Sequence, residues 1–548
     1  MKVTPFVETA AQAGLDFVHF NGMSGKLYIA EMMGAGVALL DFDRDGDLDV
    51  YLVQGSMLGE AGLEDALLPP RHAPPLTDRL YRNELVPAGA LRFADVTREV
   101  GLAPAPGYGM GVATGDYDRD GDVDLYVTRF GPNQLLRNDR GERFVDVTAA
   151  SGADDRRWSV AAAFADFDRD GWLDLYVGNF VDFSLASHRP CQSEAGWPDY
   201  CGPLSYRPQP DRLLRGSADG TFRDDSLGSG IRAVAGNTLG AIPNDFDGDG
   251  WLDLYVANDS QPNFLWRNQR DGRFVNVAEM AGAAVNDKGQ AEASMGVDAG
   301  DMDGDGDEDF FMSHLTLESN TLYENVGDGL FLDRSAASGL GVPSVPYTGF
   351  GTVFFDYDLD GVLDVYVANG AINRQADQLA EGDPLALRQP DQLFRGLGGG
   401  LFAEVEAPAG DLPPAVGRGA GVGDVDNDGD PDLVVTGNSG AVRLLLNQGA
   451  AGAHWVGLRV VDGPGGSDSL GAWVGVRTAR ESRWRRVRTA GSYASASDPR
   501  VLVGLGVETA IDGVEVRWPS GETELFRGVP IDRYSTLARG RGEPLGAP

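Results

Sequence analysis

The sequence predicts an all-β protein: a seven-bladed β-propeller closed by an N-terminal strand over residues 1–450, followed by a small β-sandwich-like domain over residues 451–548. Three observations support this prediction. A nine-residue pattern, Asp-x-Asp-x-Asp-Gly-x-x-Asp, occurs seven times. Each copy lies within a repeat that contains four runs typical of β-strands, as a propeller blade does. The repetition stops near Gly449, but apolar and polar residues continue to alternate.

The nine-residue pattern, which first begins at Asp41, brings four carboxylates together. They would repel one another unless a cation lay among them. In a tight loop, residues 1, 3 and 5 turn their carboxylates inward, and Gly at position 6 adopts the positive φ that wraps the chain around an ion. Position 7 tolerates Trp and Val, so its ligand is the backbone carbonyl, and the Asp at position 9 adds two oxygens. Flexible coordination by oxygen alone favours calcium over magnesium.

We therefore predict about seven calcium ions, one in each loop, and we number the loops 1 to 7 along the chain. A solvated turn is the alternative for one isolated copy, but seven identically spaced copies argue against it. The predicted ligands at position 1 are Asp41, Asp116, Asp166, Asp245, Asp301, Asp356 and Asp424. Those at position 3 are Asp43, Asp118, Asp168, Asp247, Asp303, Asp358 and Asp426. Those at position 5 are Asp45, Asp120, Asp170, Asp249, Asp305, Asp360 and Asp428. Those at position 7 are Asp47, Asp122, Trp172, Trp251, Asp307, Val362 and Asp430. Those at position 9 are Asp49, Asp124, Asp174, Asp253, Asp309, Asp364 and Asp432.

The four runs of each repeat predict the four strands of a blade. The first run precedes the loop, and five residues ahead of the first Asp it has Gly in six copies and Ala161 in one. A strand that needs a small residue at one level is crowded there, as it would be near a central axis. The second run follows the loop, as in Asp124-Leu-Tyr-Val. The third is seen in Asn133-Gln-Leu-Leu-Arg-Asn, and the fourth follows a Gly-rich turn, as in Phe144-Val-Asp-Val-Thr.

The pattern of the fourth run also stands at the start of the chain, as Phe6-Val-Glu-Thr. The seventh repeat, in contrast, ends with its third run, Val442-Arg-Leu-Leu-Leu-Asn. An N-terminal strand that completes the last blade would close the ring and remove exposed sheet edges. An open solenoid is the competing architecture. It would not need a first strand that completes the last repeat.

Three insertions, 54–78, 179–211 and 369–390, follow second strands, so we expect them on one face of the propeller, opposite the loops. Long loops on a rigid scaffold serve recognition, or they shield the core. One insertion holds both cysteines of the chain, Cys191 and Cys201. We predict a disulfide between them, with two unrelated thiols as the alternative.

Composition bears on partners and compartment. The formal net charge of −38 repels nucleic acid and anionic lipid. No apolar run approaches 18 residues, so no transmembrane segment is expected. The first residues lack the apolar stretch of a signal peptide, so the protein is either cytoplasmic or an exported chain without its signal. The cysteine pair and low-affinity calcium loops favour an extracellular or periplasmic location.

The C-terminal region differs in charge from the repeats. Residues 451–548 contain 13 Arg and 11 acidic residues, which gives about +2 against about −40 for the rest. The alternation in Val514-Glu-Val-Arg-Trp predicts a strand, and similar runs make this a small all-β domain. The cluster Arg483-Trp-Arg-Arg-Val-Arg could be read as a nucleic-acid patch. Beside so acidic a neighbour, an inter-domain contact or a solvated strand face fits better.

Taken together, the motifs resemble a known family. The loops followed by Leu-Tyr-Val are similar to the FG-GAP/VCBS repeats of integrin-type propellers. Gly471-Ala-Trp-Val, Val503-Gly-Leu-Gly and Val514-Glu-Val-Arg-Trp-Pro-Ser-Gly are similar to the ASPIC/UnbV domain. The combination, with Pro198-Asp-Tyr-Cys-Gly-Pro, resembles the cartilage acidic protein family. It departs from that family at Gly466-Ser-Asp-Ser-Leu, where an Asn-Arg pair is usual. The resemblance implies calcium-dependent, mostly extracellular proteins, and it extends to proteins of enediyne polyketide gene clusters.

Two functions are compatible with these features. The first is a calcium-stabilised extracellular binding or adhesion-type propeller that presents loops to a glycan or protein ligand. The second is an enzyme that acts on a small molecule: a lyase, a dehydratase or a bond-forming catalyst. The resemblance makes polyketide natural-product biosynthesis a possible setting for such an enzyme. Its site would be the mouth of the propeller channel, with Glu292 as the base and Arg157 and Arg418 as anion anchors. The residues expected to line that mouth are Arg157, Trp158, Asn237, Glu292, Tyr347 and Arg418. Scattered histidines, and a sequence without a Gly-x-Ser-x-Gly elbow or a P-loop, favour the binding protein.

Overall fold

A computed structural model describes residues 4–102, 107–193, 195–450, 452–463 and 465–545. Strands dominate this part of the chain, and its helices have at most five residues, which confirms the all-β prediction. The sheets have the arrangement of a β-propeller. Across the described ranges, no helix combines the length and apolarity needed to cross a membrane. Residue 451, where the second predicted domain begins, and the chain ends 1–3 and 546–548 lie outside these ranges.

The described residues contain seven antiparallel units of four strands, which we number along the chain. Unit 1 contains Val37–Leu40, Asp49–Leu52, Arg79–Asn83 and Phe93–Asp95. Unit 2 contains Tyr108–Gly115, Asp124–Phe130, Gln134–Asp139 and Arg143–Asp146. Unit 3 contains Ser159–Ala165, Asp174–Asn179, Arg212–Arg215 and Arg223–Asp224. Unit 4 contains Thr238–Asn244, Asp253–Asn258, Phe264–Asn268 and Phe274–Asn276. Unit 5 contains Val297–Gly300, Asp309–Met312, Thr321–Asn325 and Phe331–Asp333. Unit 6 contains Gly349–Phe355, Asp364–Asn369, Gln392–Gly398 and Leu401–Glu404. Unit 7 contains Gly417–Gly423, Asp432–Gly437, Arg443–Asn447 and the N-terminal strand Phe6–Glu8.

The N-terminal strand joins the beginning of the chain to its last unit. Phe6 lies opposite Asn447 and Glu8 opposite Leu445 in an antiparallel ladder. The first strand of each unit contacts the first strand of the next, and that of unit 7 contacts that of unit 1. Units 7 and 1 are therefore neighbours in space.

The second strand of each unit begins at the last Asp of its loop and is buried along most of its length. Its β-branched and aromatic residues pack against neighbouring units, which explains their abundance. The central Tyr also has a polar partner in units that carry an insertion. Tyr176 Oη donates to Asp211 at 2.7 Å, and Tyr366 Oη donates to Asp391 at 2.9 Å. Each acceptor precedes the third strand, so the tyrosine ties the end of the insertion to the sheet.

The C-terminal region forms two facing sheets. The first contains His454–Asp462, Ser467–Asp468, Val501–Gly506 and Tyr534–Ala538. The second contains Trp473–Arg477, Ser482–Arg486, Gly513–Arg517, Thr523–Phe526 and Glu543–Leu545. Val456 and Val503 of the first sheet share a buried cluster with Val474 and Val516 of the second. The alternation seen in the sequence therefore places one face of each strand in a common core.

A hairpin of the C-terminal region, Ala490–Gly491 and Ser495–Ala496, lies among the first strands of the units. Ala496 pairs in parallel with Ala38 of unit 1, and the Val112 N–H donates to Ala494 O at 3.1 Å. A Cβ added to Gly36 would lie 2.1 Å from the same oxygen. The crowding predicted for the small residue of the first strand is confirmed at Gly36. Its cause includes the hairpin as well as the neighbouring strand.

The opposite end of the first strands is covered by a structure that we call the cap, formed by residues 20–33 and the three insertions. Met23, Leu58, Phe183 and Leu387, one from each cap segment, share a buried apolar cluster that also includes first-strand residues. The predicted gathering of the insertions on one face is confirmed. The first strands run from the cap to the loops, so the loops lie at the other end.

Short helices and a disulfide complete the cap and the connections. The Cys191–Cys201 disulfide is confirmed, with its Cα atoms 5.2 Å apart; it adjoins a two-stranded ladder of Cys191–Gln192 with Pro198–Asp199. The α-helical turns are Ala10–Ala13, Leu85–Ala88, Thr148–Ser151, Ala278–Ala281, Ser335–Ser338, Gly341–Ser344 and Ala376–Ala380. The 3-10 turns are Ile29–Met32, Leu63–Asp65, Leu185–Ser187, Pro203–Ser205 and Ile231–Ala233.

Candidate metal centres

Each loop contains two residues with left-handed backbone conformation. Gly at position 6 has φ between 88° and 99° in all seven loops, as the sequence predicts. Position 4 is also left-handed, with φ between 55° and 84°, although it holds Arg in loops 1 to 3 and Leu in loop 6. Residues with a Cβ rarely adopt this conformation. Gly248, Gly304 and Asn427 do favour it in loops 4, 5 and 7, so they were a usable signal that the sequence analysis missed, whereas Arg and Leu in the other loops gave none.

Hydrogen bonds within the loop turn the carboxylates of positions 1 and 5 inward. The N–H of position 7 donates to the Oδ1 of position 5 at 2.8–3.2 Å in all seven loops. The N–H of Gly at position 6 donates to the Oδ2 of position 1 in six of them, at 2.8–3.2 Å. In loop 5, Gly304 N–H donates to Asp301 at 2.8 Å. The carboxylate arrangement is thus fixed by the backbone.

The Asp at position 9 anchors each loop to its sheet. Asp49 accepts from Phe42 N–H at 3.0 Å with one oxygen and from Asn83 N–H at 2.8 Å with the other. The same pair of bonds recurs in loop 2, where Asp124 accepts from Tyr117 N–H and Asn138 N–H. An ionised carboxylate has about four lone-pair sites, so these two bonds leave two of them open in loops 1 and 2. In loop 3, Arg215 donates to Asp174 at 2.6 Å and occupies a third site.

Three carboxylate oxygens lie within 4.8 Å of one another in each of loops 1 to 5. They come from positions 1, 3 and 5 in four of these loops and from Asp116, Asp118 and Asp124 in loop 2. Among the described residues, the Oδ1 of position 1 is buried without a hydrogen-bond partner in loops 1 to 4 and 6. Buried oxygens without partners are unfavourable. An oxygen-only set with open positions fits a hard divalent cation such as calcium.

The pKa values of the loop aspartates reflect the same crowding. Burial raises the pKa of Asp41 to about 6, which Arg459 opposes and the nearby Asp45 reinforces. Burial likewise raises the pKa of Asp356 and of Asp424 to about 7. Each shift disfavours the charged carboxylate in the absence of a cation, whereas a bound divalent ion would favour it.

Side chains at position 4 connect neighbouring loops. Arg44 pairs with Asp122 of loop 2 at 3.0 Å, and Arg119 and Arg169 donate to the position-6 carbonyls of loops 3 and 4. Asn427 of loop 7 donates to Asp47 of loop 1 at 2.8 Å. Sequence reasoning assigned no role to these residues, because contacts between loops depend on how the units are placed.

A second connection uses an Asn at or next to the end of the third strand. Asn138 Nδ2 donates to the carbonyl of Phe42 in loop 1 at 2.8 Å, and Asn447 Nδ2 donates to that of Tyr357 in loop 6 at 2.8 Å. Asn83 of unit 1 makes the same bond to Val425 of loop 7. The recurring Asn was visible in the third run, so its repetition was a usable signal for this role.

The C-terminal domain is docked on the loop end of the units through polar contacts. Glu308, which precedes the last Asp of loop 5, is buried and accepts from Arg486 at 2.6 Å and Arg488 at 2.9 Å. Burial opposes ionisation of Glu308, but the two arginines outweigh it and lower its pKa. Tyr534 Oη donates to Asp424 Oδ2 of loop 7 at 3.0 Å. The arginine cluster is therefore used in an inter-domain contact.

Arg418 does not face a channel mouth. It is fully buried, where its guanidinium donates to four main-chain carbonyls and lies 3.9 Å from the ring centroid of Phe350. Burial lowers its pKa to about 10. Trp158 and Asn237 are also buried. The prediction that these three residues line an open mouth is wrong, because the cap covers this end of the first strands.

The other two candidate catalytic residues also have partners of their own. Arg157 pairs with Asp155 at 2.6 Å, and Glu292 accepts from Thr321 at 3.2 Å. Within the described chain, no hydrogen bond or ion pair joins Arg157, Glu292 or Arg418 to one another. A catalytic role for them stays a prediction.

Two family profiles match the chain. The FG-GAP-like repeat profile matches residues 116–177 and 245–312, and the profile described as ASPIC and UnbV matches residues 463–544. Fold and loops together thus define a propeller protein of the FG-GAP type that carries an ASPIC/UnbV domain.

Comparison with known proteins gives the closer relationship. Cartilage acidic protein 1 of Mus musculus is 27% identical over 513 residues, which cover 89% of this chain and 70% of that protein. The Homo sapiens protein is 26% identical over 510 residues, covering 89% and 69%. The chain is a homologue of cartilage acidic protein 1, which confirms the resemblance predicted from its motifs. Among solved structures, YCF48 bound to D1 peptide is similar at 8% identity and a TM-score of 0.42, over 82% of this chain and 96% of that one.

Proposed function

We propose that this chain is a calcium-stabilised, extracellular binding protein built on a closed ring of seven blades. The observation that supports it best is the convergence of carboxylate oxygens within 4.8 Å, together with buried oxygens that lack partners. Calcium in each loop would supply two positive charges to carboxylates that otherwise repel one another. Positions 1, 3 and 5 would bind it with side chains, position 7 with its carbonyl and position 9 with its open lone pairs.

Contacts between the last and first units support a closed ring. Phe6–Glu8 pairs with the third strand of unit 7, and Asn427 of loop 7 reaches Asp47 of loop 1. Asn83 of unit 1 reaches Val425 of loop 7. Closure would leave no free sheet edge, which favours a monomeric propeller over edge-to-edge association.

The compartment and the binding role rest on the cap and on homology. A disulfide persists in oxidising compartments, and the chain shares cartilage acidic protein 1 homology over most of its length. Trp197 and Leu204 of the disulfide-containing insertion are 41% and 70% exposed, as suits contact with a protein or glycan partner. The candidate catalytic residues, in contrast, are engaged with neighbouring groups, so binding is the better supported function.

Calcium titration of the calcium-free protein by calorimetry, with ion counting by native mass spectrometry, tests the proposal. We expect about seven ions. The double variant Asp43→Asn/Asp45→Asn should bind one ion fewer, because two of the carboxylates of loop 1 are lost. Asp377→Asn, an exposed Asp in the cap, is the matched control and should keep the full number. A calcium-free protein that takes up no calcium would refute the metal sites.

The binding role is tested by arrays of glycans and extracellular proteins probed with the full chain in calcium and in chelator. We expect specific binding in calcium that disappears when the ion is removed. A protein that fills its calcium sites but binds nothing on either array would contradict the binding function while leaving the metal sites intact.

A further inference from the structure

A cavity of about 410 Å³ lies between the loop end of units 1, 2 and 7 and the C-terminal domain. Asp41, Asp116 and Asn427 line it from the propeller side, and Ser467, Asp468, Leu470 and residues 534–536 line it from the domain side. Gly46 and Thr536 are exposed, so the cavity has an edge at the surface. Its volume lies in the range of small-molecule sites.

Residues with hydroxyl groups line this cavity, namely Thr114, Ser467, Thr489, Ser535 and Thr536. Thr114 is fully buried, so its hydroxyl is closed to an occupant, and the Thr489 hydroxyl donates to the main-chain oxygen of Thr114 at 2.9 Å. The Ser467 hydroxyl donates to Asp116. Ser535 is half-buried and Thr536 is exposed, so an occupant can reach their hydroxyls, which suit hydrogen bonds to it.

The arginines of the cavity are already paired inside the protein. Arg459 pairs with Asp468 at 2.9 Å, and Arg500 pairs with Asp498 at 2.8 Å. The carboxylates that remain belong to position 1 of loops 1 and 2, where the proposed function assigns them to calcium. The cavity thus has no unpaired arginine for an anion and no uncommitted carboxylate for a cation. Such a lining selects a neutral ligand.

One wall of the cavity is aliphatic, with Leu39, Leu48, Val123 and Leu470. A sugar ring presents C–H groups on one face and hydroxyls that both donate and accept around its edge, which matches an aliphatic wall beside several hydroxyls. We propose that this cavity binds a neutral, polyhydroxylated ligand of monosaccharide size, such as the terminal unit of a glycan. The inference rests on the proposed function. It places the ligand at the boundary between the propeller and the C-terminal domain instead of at the insertions.

The test uses the full chain with its calcium sites filled. Methyl glycosides of glucose, galactose, mannose and N-acetylglucosamine are titrated by calorimetry and by saturation-transfer NMR up to 50 mM, beside glucuronic acid, glucosamine and inorganic phosphate. We expect at least one neutral glycoside to bind, and to bind at least fivefold more tightly than the charged probes. Ser535→Ala, which removes a hydroxyl that an occupant can reach, should weaken it at least fivefold, and Thr536→Trp should block entry.

Matched controls separate this cavity from general damage. Thr352→Val changes a buried Thr of unit 6, outside the cavity, and should leave glycoside affinity unchanged. Absence of neutral glycoside binding, tighter binding of a charged probe, or unchanged affinity in both Ser535→Ala and Thr536→Trp would overturn the inference. Calcium stoichiometry is measured on the same samples. Full calcium occupancy without sugar binding would therefore refute only the cavity ligand, whereas loss of calcium binding would refute the proposed function itself.

Discussion

At the loop end of the propeller, carboxylates converge within 4.8 Å and several of their buried oxygens lack partners. At the cap end, Met23, Leu58, Phe183 and Leu387 pack in one apolar cluster beside a disulfide. The same seven units therefore end in two surfaces with opposite chemistry. Charge dominates the loop end, where the proposed calcium ions would act. The cap end combines an apolar cluster with a covalent bond, on which cations have no direct effect, and it also contains Glu31, whose pKa burial raises to about 8.

Removal of calcium tests this difference most strongly. A ligand bound only by the folded state stabilises it by about 2.7 kcal/mol per site at a hundredfold excess over Kd, and the seven proposed sites would act together. We expect chelation to lower the Tm by at least about 10 °C and added calcium to restore it. Scanning calorimetry with and without EGTA measures this. Magnesium at equal concentration is the control and should restore much less. An unchanged Tm would show that the loop end needs no ion.

The pH dependence of the calcium-free protein is the next largest effect. The pKa of Asp41 is raised to about 6 and that of Asp424 to about 7, above the usual value of about 3.9 for an unfolded Asp. Between about pH 4 and 7 the folded loops therefore bind more protons than the unfolded chain, so stability falls as pH rises through this window. With calcium the trend should weaken or reverse, because calcium binds the deprotonated form. A calcium-free Tm that rises from pH 4.5 to 7.5 would contradict this assignment.

A substitution in the cap should lower stability without changing calcium affinity at the loops. Phe183 is buried, with ring centroids of Phe130 and Trp158 at 5.4 and 5.8 Å. Phe183→Ala should cost about 3–5 kcal/mol of unfolding free energy while calcium affinity stays unchanged. Leu204→Ala, in the same insertion but 70% exposed, should change stability by less than about 0.5 kcal/mol. Denaturant unfolding and calcium calorimetry measure both. A weaker calcium affinity in Phe183→Ala would show that the two ends are coupled.

We expect the smallest effect from the contact between the C-terminal domain and the loop end of the propeller. Glu308→Gln would leave Arg486 and Arg488 facing each other without their shared carboxylate, at a cost of about 3 kcal/mol. We expect greater protease sensitivity of the C-terminal domain, measured by limited proteolysis. Glu481→Gln, which removes an exposed partner of Arg483, should have little effect. Equal protease resistance of the two variants would show that the buried pair does not hold the domain.

The particular residues show what a sequence can and cannot reveal. The aspartates and Gly46 were found because they recur at fixed spacing, and the cysteine pair because the two residues lie close in the chain. Arg418 was misplaced because a polar residue ahead of a first strand was expected at an open mouth. Nothing in its neighbourhood along the chain indicates that residues from distant insertions cover it. The left-handed backbone at Arg44 was missed because Arg is not a residue type that favours this conformation.

By itself, the sequence determined the repeated loops, the all-β fold and the family relationship, because each is encoded in residues less than about twenty positions apart. Only the tertiary structure decided that the C-terminal hairpin lies among the first strands and that the domain covers the loops. It also decided that Ser535 and Thr536 of the C-terminal domain border a cavity with Asp41 and Asp116 of the loops. These features join residues several hundred positions apart, and their contacts depend on how complete units pack, which local spacing does not record.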